Sequence, residues 1–305
     1  MAGNAAGRAD SVRTIFYALG ANLAIAVAKT GAAIATGSSA MLAEAIHSYA
    51  DSGNQALLLW GMKQAKRPPS ADYPLGWGKA VFFWSFIVAV VLFSLGGLFS
   101  VYEGWHKLAH PEELRYPWVA VGILVFGLVV EAVSLRACLQ EVNKVRNEKS
   151  LWRWFRESRQ SELVVILGED FAALVGLALA LIAILLTMAT GNPMWDGLGS
   201  IWIGVVLILV AAGIGVEIKG LLIGQSAEPE LEQRMREFLE RQADVEKIHR
   251  MITMQLGTSV MVAVKAKMKG AEARALVSGI NRAEAALRAE FPEIQWLFFE
   301  PDIKE

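Results

Sequence analysis

The chain has 305 residues, of which 54% are hydrophobic and only 19% are charged. Soluble proteins average about 45–50% apolar and about 25% charged residues, so both values indicate a membrane protein. A net charge of -1 gives no basic field of the kind that a nucleic-acid binder carries. The single cysteine, Cys138, excludes an internal disulfide framework and every zinc motif built on paired thiolates.

Six apolar segments predict transmembrane helices. Three of them contain charge-free runs about as long as the roughly 20 residues that a helix needs to cross a bilayer. The other three carry a few ionisable residues, which cost about 2.5–3.5 kcal/mol each near a helix centre and therefore need an explanation. The predicted membrane domain is 1–226, with spans at 14–37, 39–62, 80–102, 117–139, 163–190 and 197–216.

Basic residues are concentrated in the loops between spans two and three and between spans four and five. By the positive-inside rule, both termini are predicted to be cytoplasmic. The first 13 residues lack the order of a cleavable signal peptide, so we expect the first span to be retained. The absence of a transit segment favours a bacterial plasma (inner) membrane.

The remainder, 227–305, is predicted to be a small cytoplasmic domain. Its periodicity switches between that of a helix and that of a strand. Two alternating runs around Gly257 predict a β-hairpin, because glycine tolerates the positive φ of a tight turn. The predicted order is αββαβ, an open-faced α+β sandwich, with helices near 230–241 and 276–287 and strands near 248–256, 260–266 and 294–298.

Four ionisable residues lie deep in two of the predicted spans. His47 and Asp51 are four residues apart in span two, so they lie on one helix face. Glu169 and Asp170 are adjacent in span five. With a rise of about 1.5 Å per residue, Asp51 and Asp170 share a depth of about 15 Å from the cytoplasmic side.

Two interpretations of this cluster remain open at this stage. The groups either pair as structural polar contacts, with one another or with Lys29, or they bind a divalent cation. Intramembrane ionisable residues are functional by default, and four of them exceed what helix packing needs. Imidazole with carboxylates suits Zn²⁺ and neighbouring ions, and the lack of thiolates argues against Cu(I). A carboxylate pair alone would equally suit a proton relay, so His47 favours a metal.

The chain resembles the cation diffusion facilitator family of divalent-metal transporters. The resemblance covers nearly the whole chain and rests on the six spans, the αββαβ domain and three motifs: HSYAD in span two, YPLGWGKAVFFW before span three and DGLGSIWIG at span six. It implies a homodimer that exports zinc or a related divalent ion from the cytoplasm in exchange for protons. The family site has two ligands four apart on span two and two on span five, which His47, Asp51 and Asp170 match.

One ligand of the family pattern is missing. The position four before Asp170 is Ile166, which cannot bind a metal. Glu169 is instead next to Asp170, as in the branch of the family that includes the ninth vertebrate zinc transporter. Adjacent helical residues point about 100° apart. The hypothesis is therefore that His47, Asp51 and Asp170 bind Zn²⁺, with Glu169 as fourth ligand or proton carrier.

The sequence predicts a transporter and no enzyme, with no prosthetic group, because the metal is the cargo. The bilayer and a second copy are the other expected partners. Alternatives are the same transport with Mn²⁺, Fe²⁺ or Co²⁺, a membrane metalloenzyme, or a metal receptor that transports nothing. HSYAD lacks the glutamate and second histidine of a zinc protease motif, which disfavours the enzyme.

Several other polar residues have structural interpretations. Lys29 and Glu44 are expected to form an ion pair between spans one and two, and a role in gating is the alternative. Glu131 either pairs with Arg136 or faces the cavity, and Asp196 is expected to cap span six. The C-terminal domain has only one histidine, His249, predicted at the surface of a strand. That domain is therefore expected to dimerise the protein, with weak or absent metal sensing.

Overall fold

The computed structural model describes residues 11–36, 39–111, 116–270 and 272–303, without the side chains of 11, 13, 32, 33, 35–47 and 50. Eight of its helices belong to the predicted membrane part of the chain. They are α1 (Ser11–Thr36), α2 (Ser39–Ala65), α3 (Ala80–Val91), α4 (Phe99–Ala109), α5 (Pro117–Val145), α6 (Leu151–Glu157), α7 (Ser161–Thr190) and α8 (Met194–Ile223). A π-helical segment, Leu92–Leu98, joins α3 to α4.

Five stretches of the described chain are long and apolar enough to cross a membrane. They are the Thr14–Gly31 part of α1, Ala80–Ala109 and the helices α5, α7 and α8. The helix α2 has 27 residues and coincides with the remaining predicted span, but it falls outside this set because it carries several polar groups. Most of the helices are longer than predicted, because a helix continues past the apolar run that indicates it.

Three strongly exposed tryptophans lie at or near the ends of helices of the predicted membrane part. Trp105 is in the last turns of α4, Trp118 is the second residue of α5, and Trp152 is in α6. Each indole is about 70% exposed. Tryptophan is enriched where a bilayer meets water, because its ring is apolar and its N–H is polar. This distribution is typical of helices that end at a membrane interface.

The chain divides into two compact units. The membrane unit consists of Met1–Met62, Phe83–Arg156 and Ser161–Ile218. The C-terminal unit consists of Lys219–Glu305 together with Lys63–Phe82 and Glu157–Gln160. The loop that precedes span three, and the end of α8, thus belong with the C-terminal unit by their contacts.

The C-terminal unit has the predicted αββαβ order. Its elements are α9 (Pro229–Glu240), β1 (Val245–Leu256), β2 (Ser259–Met268), α10 (Ala273–Glu290) and β3 (Ile294–Pro301). The sheet order is β1-β2-β3, with β1 antiparallel and β3 parallel to β2. Side chains such as Met235, Leu239, Val262 and Leu287 form a buried core. Alternating burial along β2 leaves the other face of the sheet open.

The turn between β1 and β2 packs against the loop that precedes α3. Gly257 has a φ of +66°, as predicted for the turn, and a Cβ there would lie 2.6 Å from the carbonyl oxygen of Gly78. A Cβ on Gly78 would lie 2.3 Å from the carbonyl oxygen of Leu256. Both glycines are therefore required by the close approach of two backbones, and at Gly257 also by the positive φ.

Candidate functional site

A cavity of about 210 Å³ lies inside the membrane unit. Among the described residues, five carboxylates line it, together with one lysine, Lys29. The carboxylates are Asp51, Glu103, Glu131, Glu169 and Asp170. They come from α2, α4, α5 and α7, so groups that are far apart in the sequence share one space.

The cavity extends from these carboxylates toward one end of the bundle, the distal end, where α4 and α7 end and α5 and α8 begin. On α7, the lining residues run from Glu169 to Ala180. On α4 and α8 they include Glu103 and Ser200, each within two turns of the distal end of its helix. By contrast, every residue from Ser161 to Asp170 on α7 is buried. The turns of α7 before the carboxylates are thus tightly packed.

Both oxygens of the Glu169 carboxylate accept hydrogen bonds from side-chain amides of α2. The Asn54 amide nitrogen is 2.8 Å from Oε1, and the Gln55 amide nitrogen is 2.7 Å from Oε2. Asn54 and Gln55 follow Asp51 on α2 by about one helical turn. The Glu169, Asn54 and Gln55 side chains are all buried. The amides therefore direct Glu169 toward α2.

Asp170 is directed toward a different helix. The hydroxyl of Ser134 on α5 donates a hydrogen bond to Oδ2 of Asp170 at 2.9 Å. Asp170 is 3% exposed, and its other oxygen, Oδ1, accepts no hydrogen bond from a described side chain. Adjacent positions on α7 thus serve different neighbours, as the 100° helical step requires. The amides that bond Glu169 and the hydroxyl that bonds Asp170 are neutral. No described side chain therefore forms a direct ion pair with either carboxylate.

The structure brings together three of the four residues expected in the site. Asp51, Glu169 and Asp170 line the same cavity. His47 lies in α2 one turn before Asp51, but its side chain is outside the described residues. Among the side chains that the structure does describe, no three His, Cys, Asp or Glu residues form a group that could hold a metal ion.

Two further ionisable residues of the spans, Glu131 and Lys29, also line this cavity. Glu131 faces the cavity, which was one of its two expected positions. The Lys29 ammonium donates a hydrogen bond to the hydroxyl of Ser48 at 3.0 Å, while the side chain of its expected partner, Glu44, is outside the described residues. Glu131 and Lys29 therefore join the same cavity as the predicted site.

Sequence reasoning missed the contribution of Glu103 and the role of Asp196. Glu103 directly follows the predicted span 80–102, where a charge is ordinary, and it lines the distal part of the cavity. Asp196 lies inside the first turn of α8 and forms an ion pair with Lys107 on α4 at 3.0 Å. Asp196 was expected to cap this helix, but it is the side-chain oxygen Oδ1 of Asn192 that accepts a hydrogen bond from the backbone N–H of Met194. Two pairs of glycines seven residues apart, Gly97 with Gly104 and Gly197 with Gly204, are the sequence signal that could have paired α8 with α4 and the π-helical segment before it.

His249 is half-buried rather than on the surface of its strand. Both of its ring nitrogens are shielded from solvent and have no hydrogen-bond partner among the described residues. The residue lies at an irregularity in the pairing of β1 with β2, between Ile248 and Arg250. The strand's alternation breaks there, which is why the expected outward position is not observed.

Comparison with known proteins identifies the class of this one. A family model described as the cation efflux transmembrane domain matches residues 15–223. The chain therefore belongs to the cation efflux family, which confirms the resemblance to the cation diffusion facilitators inferred from its motifs. A family of cation transporters also agrees with the expectation that the chain is no enzyme.

Individual proteins that resemble this chain give more detail than the family match. The chain is 37% identical over 226 residues to the mitochondrial proton-coupled zinc antiporter SLC30A9 of Xenopus laevis, covering 73% of this chain and 40% of the relative. The human protein of that name is 36% identical over the same shares. Metal tolerance protein C4 of Arabidopsis thaliana is 30% identical over 248 residues, covering 78% of this chain and 53% of the relative.

The vertebrate relatives are much longer than the region that they share with this chain. The chain spans about two fifths of their length. Their names place them in mitochondria, so they give no support to the expected bacterial plasma membrane. The family match and the five apolar helices show that the chain is an integral membrane protein.

Proposed function

We propose that this protein is a secondary transporter that exports divalent metal cations, with Zn²⁺ as the main substrate, in exchange for protons. The observation that carries the proposal is the shared cavity of Asp51, Glu169 and Asp170 inside the membrane unit. Carboxylates at this depth are costly unless a cation compensates them. The names of the vertebrate relatives, which describe proton-coupled zinc antiport, support the same function.

In the proposed site, His47, Asp51 and Asp170 are the metal ligands. Asp170 has one oxygen, Oδ1, that accepts no hydrogen bond from a described side chain, while Ser134 orients the other. A hydrogen bond to the second oxygen of a ligating carboxylate is the usual way in which proteins orient such a ligand. Metal binding requires a neutral imidazole and ionised carboxylates, so protons leave as the metal arrives. This linkage is the physical basis for exchange of metal against protons.

Glu169 is better suited to a supporting role than to direct coordination. Its two oxygens already accept hydrogen bonds from Asn54 and Gln55, and a metal would have to replace one of these amides. We infer that Glu169 adds negative charge to the cavity and links α7 to the turn of α2 that follows Asp51. This proposal replaces the fourth-ligand role that the missing ligand at Ile166 suggested for Glu169, and it leaves the role of proton carrier open to test.

We further propose that the C-terminal unit joins two copies of the chain, on the cytoplasmic side. The open face of its sheet carries an apolar row, because Ile252 pairs with Ala263 and Ala263 with Phe298 across the three strands. Ile252 and Phe298 are about half exposed. Light scattering of the detergent-solubilised chain should give the mass of two copies, and of one copy for Phe298→Glu. A monomeric native chain would contradict the proposed dimer.

Metal flux into reconstituted vesicles with an imposed pH gradient tests the transport function. We expect Zn²⁺ to move, faster with the gradient than without it, and Asp51→Asn to abolish the movement. The matched control is Glu246→Gln, which removes a carboxylate from an ion pair in the C-terminal unit. Faster movement of Mn²⁺, Fe²⁺ or Co²⁺ than of Zn²⁺ would change the assigned substrate, and no movement of any of them would contradict the function.

A further inference from the structure

Three oxygen atoms surround the ammonium of Lys107 at the distal end of the membrane unit. Its Nζ lies 3.3 Å from Oε1 of Glu103 and 3.0 Å from Oδ2 of Asp196. It also donates a hydrogen bond to the hydroxyl of Ser200 at 3.4 Å. Two carboxylates and a hydroxyl form an oxygen environment that suits a cation, and here the cation is a side chain of the protein itself.

This group of four side chains lies at the distal edge of the carboxylate cavity. Glu103 and Ser200 line the cavity, while Lys107 and Asp196 do not. Between 27% and 40% of the Lys107, Glu103 and Asp196 side chains is exposed. The ammonium therefore lies between the cavity and the surroundings of the distal end. An ion that left Asp51 and Asp170 in this direction would pass Glu103, one of the two carboxylates that contact Lys107.

The backbones that carry these side chains are held together by glycines. A Cβ on Gly104 would lie 2.6 Å from the carbonyl oxygen of Gly197, and one on Gly204 would lie 2.7 Å from that of Gly97. Small residues at such positions let two membrane helices pack with their backbones in contact. The distance between Glu103 on α4 and Asp196 on α8 is thus set by helix packing and does not depend on the ion pair alone.

We propose that Lys107 is a tethered cation at the exit of the transport path, which keeps a released metal ion from binding there. By neutralising part of the charge of Glu103 and Asp196, it lets the ion dissociate from the distal end instead of being retained. This role rests on the proposed transport function, but it concerns a residue outside the metal site. Lys107 thus promotes release of the metal at the distal end, and it does not coordinate the metal.

Export measured against increasing Zn²⁺ on the distal side tests this role, with Lys107→Met and Lys107→Arg in vesicles of one orientation. With Lys107→Met, the distal Zn²⁺ concentration that halves export should fall by about tenfold or more, since about 1.4 kcal/mol of added affinity suffices for that factor. The apparent affinity on the opposite side should stay unchanged. Lys107→Arg keeps the charge and should resemble the native chain.

A second variant separates this electrostatic role from a structural one. Lys107→Met combined with Glu103→Gln removes one positive and one negative charge. The net charge of Lys107, Glu103 and Asp196 together therefore stays the same as in the native chain. It should recover most of the resistance to distal Zn²⁺, whereas a purely structural lysine predicts no recovery. Unchanged distal inhibition of Lys107→Met, or a Lys107→Arg variant as sensitive as Lys107→Met, would overturn the proposal. Thermal unfolding in detergent identifies any variant that is merely misfolded.

Equilibrium binding gives a readout that does not require transport. Counted by Mn²⁺ paramagnetic resonance, Lys107→Met should bind one more ion per chain than the native protein, and the double variant should not. If the native chain transports no metal, the transport function fails while this count still tests Lys107. If the native chain transports Zn²⁺ and Lys107→Met gains no ion, the tethered cation is rejected alone.

Discussion

Carboxylates occur in both units of this protein, but with different partners. In the membrane unit, Glu169 and Asp170 are buried and accept hydrogen bonds from amides and a hydroxyl. In the C-terminal unit, carboxylates on the surface form ion pairs with basic side chains, as Asp244 does with Arg282. A surface carboxylate is stabilised by water in any case, whereas a buried one needs specific compensation. No described basic side chain pairs directly with the two buried carboxylates, and the cation of the proposed transport would compensate their costly location.

The largest effect expected from this contrast is the loss of Asp170. Asp170→Asn keeps the shape of the side chain and removes a charge that no described basic side chain offsets directly. Residues that merely support a metal ligand cost about 10–100-fold in affinity when mutated, so a ligand should cost more than about 100-fold. Isothermal titration with Zn²⁺ measures this change. Glu246→Gln, a matched loss of charge at the surface, should leave the affinity unchanged, and equal losses would remove the distinction between the two units.

A smaller effect is expected from Glu169→Gln. Because both oxygens of Glu169 accept hydrogen bonds from amides, its replacement should lower the Zn²⁺ affinity by about 10–100-fold, the range typical of a supporting residue. Glu169→Asp is the control, since it keeps the charge and shortens the side chain away from Asn54 and Gln55. A loss with Glu169→Gln as large as with Asp170→Asn would instead make Glu169 a ligand.

The number of bound ions sharpens the comparison further. Because several carboxylates of the C-terminal unit already have basic partners, as Asp302 has in Lys265 at 2.5 Å, we expect this unit to add no tight metal site. In the full chain, the double variant Asp51→Asn with Asp170→Asn should bind no Zn²⁺ at micromolar concentration. One ion per chain remaining in that variant would show a second site away from Asp51 and Asp170. His249→Gln added to it would then show whether that histidine is responsible.

The smallest effect concerns a surface pair and depends on pH. Arg282 donates two hydrogen bonds to Asp244, and these lower the pKa of the Asp244 carboxyl below its usual value. A group with a lowered folded-state pKa stabilises the fold above its unfolded pKa and stops doing so as the pH falls through the folded value. Arg282→Met should therefore slightly lower the unfolding temperature of the chain at neutral pH.

The same measurement in acid distinguishes an ion pair from simple packing. As the pH drops below the usual range of an aspartate, the native chain and Arg282→Met should approach the same unfolding temperature. Exposed pairs contribute little in any case, since water screens them. A difference that persists in acid would show that the Arg282 side chain acts through its apolar stem. Lys267→Met, at another exposed pair with Glu246, is the matched variant.

Much of the fold could be read from local patterns. The charge-free runs predicted the existence of α7 and α8, both ends of α7 and the start of α8 to within a few residues. Such runs indicate helices because a segment in a bilayer must satisfy its own backbone hydrogen bonds. The alternation around Gly257 predicted the hairpin, because side chains of a strand point to opposite faces in turn. The ends of α5 and α8 were placed too early, since both helices continue past the apolar run into polar residues.

Only some residues of the candidate site could be predicted from local sequence patterns. Asp51, Glu169 and Asp170 stand out in the sequence, because each ionisable group in an apolar span carries a high cost. Glu103 and Lys107 do not, since both are near the end of a span where charges are ordinary. Their importance depends on α4 lying against α8, and the apolar composition of the two helices does not specify that contact.

The sequence alone thus determined the long helices of the membrane unit, five stretches of which are apolar enough to cross a membrane, the αββαβ order of the C-terminal unit and the few costly groups inside the helices. Each of these depends on local periodicity and on the free energy of single residues in an apolar medium. Only the tertiary structure decided that Asn54 and Gln55 bind Glu169, that Ser134 binds Asp170, and that Lys107 lies between Glu103 and Asp196. Such contacts depend on how each helix is rotated about its axis and which helix it packs against, and hydropathy is nearly the same for many of those arrangements.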